Sequence, residues 1–243
     1  MSGSRRFFIE DINYPSVTEV EIAGDEFIHA KTVLRIEAGA EIVLLDNSGN
    51  EYPAIVTSVG KRSLSAHITG SNVGLREPQT YVYLLTGLLK GDKTELVVQK
   101  ATELGAAKIG VFSSRYCSAY MNENKIGRLN RVAHESAKQC LRSVAPEVCY
   151  FNSLEQALLS ASQYNNKLFA CEFADRSDVD ILELSGSTAL VIGSEGGFSE
   201  EEFALARKRY NFRALTLGKR ILRAETAAIA AMSVVMFALG ELR

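Results

Sequence analysis

The sequence lacks the residue patterns that assign many enzymes to their class. Its four cysteines show no Cys-x-x-Cys spacing and its three histidines are scattered, so neither a zinc site nor a disulfide scaffold is indicated. It contains no Gly-x-Ser-x-Gly motif that would present a nucleophilic serine. We therefore expect reduced thiols, no metal ion, and chemistry that depends on other groups.

Long apolar stretches are also absent. No run reaches the 18 residues that a membrane-spanning helix needs, and the first ten residues lack the apolar core of a signal peptide. We expect a cytoplasmic protein. The net charge of −2 argues against a surface that is basic throughout, although an average conceals local patches. With 243 residues, the chain is long enough for one large or two modest domains.

The first 72 residues have the pattern of a small β-domain. Short runs rich in Val, Ile, Thr and aromatic residues are divided by turn formers, as in closely spaced strands. Five such strands with one helix favour a small barrel, and residues 70–74 are the best candidate for a linker. The predicted strands cover residues 7–9, 19–22, 41–45, 52–59 and 63–68, and the helix covers residues 25–34.

Beyond residue 73, strands alternate with helices, which is typical of an α/β domain with a largely parallel sheet. The predicted strands cover residues 81–85, 108–112, 167–171, 189–192 and 214–217. The predicted helices cover residues 93–104, 125–142, 153–162 and 224–239, and a further one begins after residue 199.

Two glycine-bearing turns near the C-terminus each join a short apolar strand to a helix. We name residues 193–199 the first loop and residues 217–223 the second loop. Open α/β sheets bind ligands at such turns, beyond the carboxyl ends of neighbouring strands. Gly196 and Gly197 permit a close approach of backbone to ligand, and Ser199 with Glu202 predicts a capping box. A well-capped turn without a ligand is the alternative.

The helix after the second loop is apolar nearly all round, which predicts that it is buried. Charged groups next to a buried helix have to reach solvent, form pairs or face a polar cavity. Here these groups are Lys219, Arg220, Arg223 and Glu225. A solvated loop before a core helix is the alternative to a binding site.

A phosphate-binding loop is nearly present in GLLKGDKT, residues 87–94. The motif has one residue too few between its glycines, and Asp92 before the lysine would repel phosphate. The run LFACE, residues 168–172, imitates the acidic strand of such ATPases. Nucleotide hydrolysis therefore stays open as a minor alternative.

Several long motifs, in the same order, resemble those of one family. IGSEGGFSEEE and LGKRILRAETAA are similar to the signature loops of the 16S ribosomal RNA uridine-N3 methyltransferases, which belong to the SPOUT (trefoil-knot) class. The likeness continues through KGDKTELVVQKATELGAAKI, FSSRYC and ESAKQCLRSVAPEV. It implies a PUA-like RNA-binding barrel over residues 1–72 and a knotted methyltransferase domain over residues 73–243. It also implies S-adenosylmethionine as cofactor, a homodimer, and 16S RNA or the small ribosomal subunit as partner.

The resemblance also implies roles for individual residues. Ser194 and Lys219 stand where the family usually has proline, which loosens the backbone, and Ala224 stands where it usually has threonine, which removes a hydroxyl. The cofactor-binding residues that the resemblance implies are Thr86, Cys171, Glu172, Gly193, Glu195, Gly196, Gly197, Leu217, Gly218, Ile221 and Leu222.

Methylation of uridine N3 removes a proton, and the negative charge that develops on the base has to be stabilised. An arginine stays protonated and can donate two hydrogen bonds at once. Arg223 is the first candidate, with Glu225 orienting it or acting as base. Arg115 and Arg142 match family positions that face the acceptor, and contacts to phosphate or salt bridges in a dimer are equally compatible with them.

Basic residues supply a track for RNA despite the negative total charge. On the predicted barrel they are Arg5, Arg6, Lys31 and Arg35; Gln139 is a further candidate, within a helix that carries Lys125, Arg128, Arg131, Lys138 and Arg142. Such a run is also typical of a solvated helix face. A non-catalytic RNA-binding or assembly factor that retains the fold is the main rival interpretation.

Overall fold

The computed structural model describes residues 5–171 and 177–242. The chain forms two compact units. The first comprises the residues up to Glu77 together with Ala137–Ala145, and the second comprises Pro78–Ser136 and the residues from Pro146 onward.

The first unit is built on a mixed six-stranded sheet. The strand order is β1-β3-β4-β5-β2, with β6 paired to β4. β1 and β3 are parallel, and the other pairs are antiparallel. The strands are β1 (Arg6–Phe8), β2 (Glu19–Ala23), β3 (Glu41–Leu45), β4 (Asn50–Val59), β5 (Ser63–Ile68) and β6 (Asn72–Val73), and a short helix α1 (Gly24–Ile28) continues into a π-helical turn (His29–Val33).

Strands form here where apolar and polar residues alternate. In β5, Leu64, Ala66 and Ile68 are buried while His67 is exposed, as a sheet with one covered face requires. The five strands predicted for this region are confirmed to within two residues. The predicted linker was wrong in part, because β6 lies within it and pairs with β4.

A segment from the middle of the chain completes the first unit through buried ion pairs. Arg142 donates from Nε and Nη2 to Oε2 of Glu77 at 3.1 and 2.9 Å, and Oε1 of Glu77 accepts the amides of Ser143 and Val144 at 2.7 and 3.0 Å. Burial by itself raises the pKa of Glu51, but hydrogen bonds from Arg6 and Ser143 hold that pKa below its usual range. The segment is therefore an integral part of the unit.

The second unit is an α/β layer structure with a parallel sheet in the order β12-β10-β11-β7-β8-β9. Its strands are β7 (Val82–Gly87), β8 (Lys108–Phe112), β9 (Glu147–Phe151), β10 (Asn166–Ala170), β11 (Thr188–Ile192) and β12 (Arg213–Leu215). Its helices are α2 (Lys93–Glu103), α3 (Glu123–Gln139, which runs into the first unit's segment), α4 (Leu154–Ser160), α5 (Glu200–Tyr210) and α6 (Ala224–Ala238), with a 3₁₀ turn at Ile181–Glu183.

Both faces of this sheet are covered. Along β7, Val82 and Leu84 pack into one core together with residues of α2, α3 and α6, whereas Tyr83 and Leu85 pack into a second core with residues of α4 and α5. A strand buried on both sides needs apolar residues at every position, which explains why the sequence shows continuous apolar runs here. The predicted α/β fold with a parallel sheet is confirmed.

The strand order corrects one feature of the sequence-based prediction. The strands that lead into the first and second loops, β11 and β12, are not neighbours, because β10 lies between them and pairs with both. The carboxyl end of β10, which Cys171 follows, therefore lies between the two loops at the same edge of the sheet. The edge strand β9 was missed because its residues Cys149, Tyr150 and Phe151 are all half-buried and give no periodic pattern.

The predicted capping box at the start of α5 is confirmed. The Ser199 hydroxyl accepts the amide of Glu202 at 3.2 Å, and the Glu202 carboxylate accepts the amide of Ser199 at 2.8 Å. We expect Ser199→Ala to lower the free energy of unfolding of this unit by about 1 kcal/mol, because one helix-terminal amide loses its partner. Urea denaturation followed by circular dichroism measures this change, with the exposed Ser71→Ala as control. An unchanged transition midpoint would contradict the prediction.

Across the described residues, the helices are too short or too polar to cross a membrane.

Candidate active site

The candidate site lies in the second unit, where the carboxyl ends of four parallel strands meet at one edge of the sheet. β7 ends at Thr86 and Gly87, β11 leads into Gly193, β10 into Cys171 and β12 into the second loop. The chain proceeds from β7 to β8 on one side, while β11 lies on the other side. Such a reversal of strand order opens a crevice for ligands. Glu172 lies outside the described residues.

Glycine is required at two positions of this edge. A Cβ on Gly87 would lie 2.4 Å from the amide nitrogen of Ser194, and a Cβ on Gly196 would lie 2.6 Å from Cβ of Tyr116. The first loop therefore rests directly on the end of β7 on one side and on the FSSRYC segment on the other. Gly197 has a φ of +66°, which other residues rarely adopt. The sequence predicted that Gly196 and Gly197 let the backbone approach a ligand. The structure adds that Gly87 and Gly196 lie in close contact with neighbouring backbone.

Glu195 of the first loop is fixed by the turn that precedes α2. Its Oε1 accepts the amide of Lys90 at 3.0 Å and lies 3.6 Å from Nζ of Lys93. Burial by itself raises the pKa of Glu195, but the hydrogen bond from the Lys90 amide and the charge of Lys93 hold that pKa below its usual range. Glu195 is thus an ionised anchor of the first loop.

Glu225, at the start of α6, is held by the same lysine. Its Oε1 lies 3.6 Å from Nζ of Lys93, and 14% of its side chain is exposed. Its other oxygen, Oε2, is buried and has no hydrogen-bond partner within the described residues. The hydroxyl of Ser194 in the first loop is likewise buried and has no hydrogen-bond partner among the described residues. Buried polar atoms without partners are costly and rare, so both atoms are candidates to bind a ligand.

Most residues of the second loop are exposed to solvent. Ile221 is 94% exposed, and Gly218 has a φ of +98°. Arg223 occupies the N-cap position of α6 and is exposed, and its guanidinium makes no hydrogen bond or ion pair in the described part of the chain. Leu217 is half-buried against the core. An arginine that is free of internal partners is available to a substrate.

A cavity of about 720 Å³ adjoins the second loop, within the size range of small-molecule sites. Leu217 lines it, together with Thr216, the segment 177–181 and the α6 residues Ala230 and Val234. Of the cofactor-binding residues that the resemblance implies, only Leu217 is among the described residues that line this cavity. The cavity therefore marks the β12 side of the candidate site rather than the first loop.

Arg115 is joined to the helix that follows the first loop. Its amide donates to Oε1 of Glu202 at 2.9 Å, and its Nη1 donates to Glu201 at 3.0 Å. The guanidinium also lies over the ring of Tyr116, and more than half of the side chain is exposed. Arg115 is thus held beside the first loop with a charge that still reaches solvent.

Of the basic residues predicted to contact RNA, Arg6, Lys138 and Arg142 belong to the first unit and are buried there. Arg142 is 4% exposed and pairs with Glu77, and Arg6 is 7% exposed and pairs with Glu51. Both guanidinium groups serve the interior of this unit, which is an ion-pair role that the charge pattern alone did not distinguish from RNA contact. The exposed candidates are Arg5, Lys31, Arg35 and Gln139, of which Lys31 donates to the carbonyl of Gly60 at 3.0 Å.

Lys93 is the residue of this site that sequence reasoning missed. It was seen only as the lysine of an imperfect phosphate-binding loop, whereas its Nζ contacts two carboxylates of the protein itself. A basic residue on the first turn of α2 opposes the helix dipole, and that was the available signal of another role. No cluster of three or more potential metal ligands occurs within residues 5–171 and 177–242.

Comparisons with known proteins agree with this geometry. The sequence profile described as "RNA methyltransferase domain" matches residues 76–236, and that described as "RNA methyltransferase PUA domain" matches residues 22–69. The ribosomal RNA small subunit methyltransferase E of Bacillus subtilis is 30% identical over 98% of this chain and 98% of its own. The protein of the same name from Rickettsia conorii is 30% identical over 89% of this chain and 88% of its own.

Two solved structures are also similar over almost the whole chain. A putative methyltransferase from Legionella pneumophila, in complex with S-adenosylmethionine, has a TM-score of 0.88 at 29% identity and covers 97% of this chain and 98% of its own. The ribosomal RNA small subunit methyltransferase E of Neisseria gonorrhoeae, bound to S-adenosylmethionine, has a TM-score of 0.84 at 25% identity, with coverages of 97% and 98%.

Proposed function

This chain belongs to the RNA methyltransferase family with a PUA domain, and we propose that it transfers a methyl group from S-adenosylmethionine to N3 of one uridine in 16S ribosomal RNA. The observation that carries the proposal is the contact of Lys93 with both Glu195 of the first loop and Glu225, which follows the unpaired Arg223 by two residues. The relatives named for small-subunit RNA methylation support the substrate class.

The residues present fit the cofactor. The hydroxyl of Ser194 is buried without a partner in the described chain, so the first loop retains an unused donor and acceptor for a ligand. The second loop offers backbone groups at Gly218 and apolar surface at Leu217. Thr86 is the next-to-last residue of β7, Cys171 and Gly193 directly follow β10 and β11, and Ile221 and Leu222 belong to the second loop. The cofactor would supply an electrophilic methyl group on a positively charged sulfur.

The protein's own groups then have two tasks. The N3 proton of uridine has to leave, and the carboxylate of Glu225 is our candidate to accept it, because Oε2 has no other hydrogen-bond partner in the described structure. The lone pair so released on N3 takes the methyl group as the bond between carbon and sulfur breaks. Arg223 donates to the uracil oxygen on which negative charge develops. Arg115, beside the first loop, is proposed to contact the acceptor RNA.

The two units divide the work in this proposal. The first unit, which contains the PUA-like residues 1–72, binds RNA, and the second unit carries the methyl transfer. The exposed residues Arg5, Lys31, Arg35 and Gln139 are proposed phosphate contacts, because phosphate contacts position the protein without reading sequence. Arg6 and Arg142 support this surface from within through their ion pairs. We further propose a homodimer as the active form.

The rival interpretations are weakened by particular contacts. Nucleotide hydrolysis would need Lys93 at a phosphate, but its Nζ lies between two carboxylates. A non-catalytic RNA-binding factor has no use for a buried carboxylate oxygen that lacks a partner at the start of α6. A measurement of ATP turnover, and one of RNA binding without methyl transfer, would test these two alternatives.

The proposal predicts methyl transfer to a defined acceptor. Labelled S-adenosylmethionine is incubated with small ribosomal subunits that lack the modification, and with naked 16S RNA alongside. We expect label at uridine N3 in the particle and little in naked RNA, because a splayed base in an assembled shape is recognised more readily than a free strand. Label at another position of the RNA would show that the acceptor is not N3 of this uridine. An absence of cofactor binding would overturn the methyltransferase proposal.

A further inference from the structure

The first loop and the start of α6 are joined through one ammonium group. Lys93 is the first residue of α2, and its Nζ lies 3.6 Å from Oε1 of Glu195 and 3.6 Å from Oε1 of Glu225. The lysine side chain is 32% exposed, so its charge is only partly screened by water. Three segments that are far apart in sequence therefore depend on a single charge.

The backbone turn that carries Lys93 is held by several hydrogen bonds. The turn that leads into α2 is closed by Thr94, which is fully buried; its Oγ1 accepts the amide of Leu89 at 3.0 Å and donates to the carbonyl of the same residue at 3.2 Å. The Lys90 amide of this turn binds Glu195 as well. The ammonium is therefore presented from a fixed turn, so its position can define the positions of the two carboxylates.

The two carboxylates differ in what they have besides Lys93. Glu195 keeps the Lys90 amide, whereas Glu225 has no second ion-pair partner within the described residues, and its Oε2 is buried without a hydrogen bond. Two carboxylates that share a small space repel one another unless a cation lies between them. Removal of the ammonium would therefore release Glu225 first.

We propose that Lys93 is a positioning residue, which holds Glu195 and Glu225 on one ammonium and thereby points the free oxygen of Glu225 at the uracil. This inference rests on the proposed function, because it assigns the free oxygen to that substrate. Lys93 itself contacts neither cofactor nor RNA in this arrangement; it acts through the two carboxylates.

The test compares Lys93→Met and Lys93→Arg with a control on the same helix. Lys100→Met removes a lysine of similar exposure that pairs with Glu103 at 2.9 Å, away from both loops. We expect Lys93→Met to lower kcat for methyl transfer roughly tenfold, since small displacements of reacting groups are costly, with little change in KM for RNA. Lys93→Arg should recover most of the activity, and Lys100→Met should match the parent protein.

A double-mutant cycle separates positioning from general damage. If Lys93 acts through Glu225, then Lys93→Met should change kcat by less than about twofold when Glu225→Gln is already present, because residues that act as one unit are not additive. Full additivity of the two substitutions would overturn the proposal, as would a parental kcat in Lys93→Met.

A third measurement needs neither cofactor nor RNA. The Glu195 carboxylate is titrated by carbon NMR in the full-length protein, where it faces the Lys90 amide, Lys93 and, across Lys93, Glu225. We expect the pKa of Glu195 to rise in Lys93→Met, because the positive charge that lowers this pKa is removed. The pKa should stay unchanged in Lys100→Met. An unchanged value in Lys93→Met would overturn the inference. Failure of methyl transfer in the parent protein would overturn the proposed function alone.

Discussion

Replacement of Arg223 by alanine should lower kcat for methyl transfer by about 10²- to 10³-fold, the usual effect of removing one donor to a developing negative charge. The guanidinium is exposed at the N-cap of α6 and makes no hydrogen bond within the described residues, so its loss leaves no internal partner unpaired. Affinity for S-adenosylmethionine, measured by calorimetry, should stay within about twofold, because the interaction arises mainly in the transition state.

The control for this prediction is Arg213→Ala. Arg213 is an exposed arginine at the start of β12, the strand that leads to the second loop, and its Nη2 donates to Asn166 at 3.2 Å. It lies at the opposite end of the strand from the loop and should retain full turnover. Unchanged kcat in Arg223→Ala would remove this residue from the reaction, and a parallel loss of cofactor affinity would assign it to binding instead.

Replacement of Glu77 by alanine should cost the first unit about 3–5 kcal/mol, the usual penalty when one partner of a buried ion pair is removed. The substitution leaves the guanidinium of Arg142 buried without its carboxylate and withdraws the acceptor of the Ser143 and Val144 amides. The loss far exceeds that of a surface pair, because water cannot replace the missing partner at a side chain that is 5% exposed.

Urea denaturation monitored by hydrogen exchange of first-unit amides would measure the loss. The matched control is Glu19→Gln in the same unit, which breaks an exposed contact with His67 and should cost no more than about 1 kcal/mol. Equal effects of the two substitutions would show that the pair with Arg142 is not essential to the unit. In that case the ion pair would not argue against the contact of Arg142 with the acceptor that its sequence motif implies.

Most elements of the fold could be predicted because periodicity and turn chemistry agree locally. The strand at residues 41–45 and the capping box at Ser199 were found from a few adjacent residues. The insertion of β10 between β11 and β12 could not be found in this way, since strand order depends on pairing between distant segments. The assignment of Ala137–Ala145 to the first unit escaped prediction for the same reason.

The candidate site shows the same limit. The glycines of the first loop were visible because their residue type is itself a conformational signal. Lys93 was not, because its role depends on two carboxylates that follow it by more than one hundred residues. Likewise Arg6 and Arg142 have the same appearance in sequence whether their guanidinium groups face a phosphate or a buried glutamate. Which of the two partners a guanidinium group has depends on whether it is buried in the folded protein, and the pattern of charges along the sequence does not show this.

The discontinuous first unit has a consequence for synthesis of the chain. The strands of this unit are complete by residue 77. The residues that pair with them are made only after residues 78–136; they are Arg142, Ser143 and Ala145, whose amide donates to an asparagine side chain. At elongation rates of about 5–20 residues/s this interval is roughly 3–12 s. During that time the nascent barrel holds Glu77 and Glu51 without some of their partners. The unit therefore matures only as the larger one is emerging, and truncation at the apparent linker would leave it unfinished.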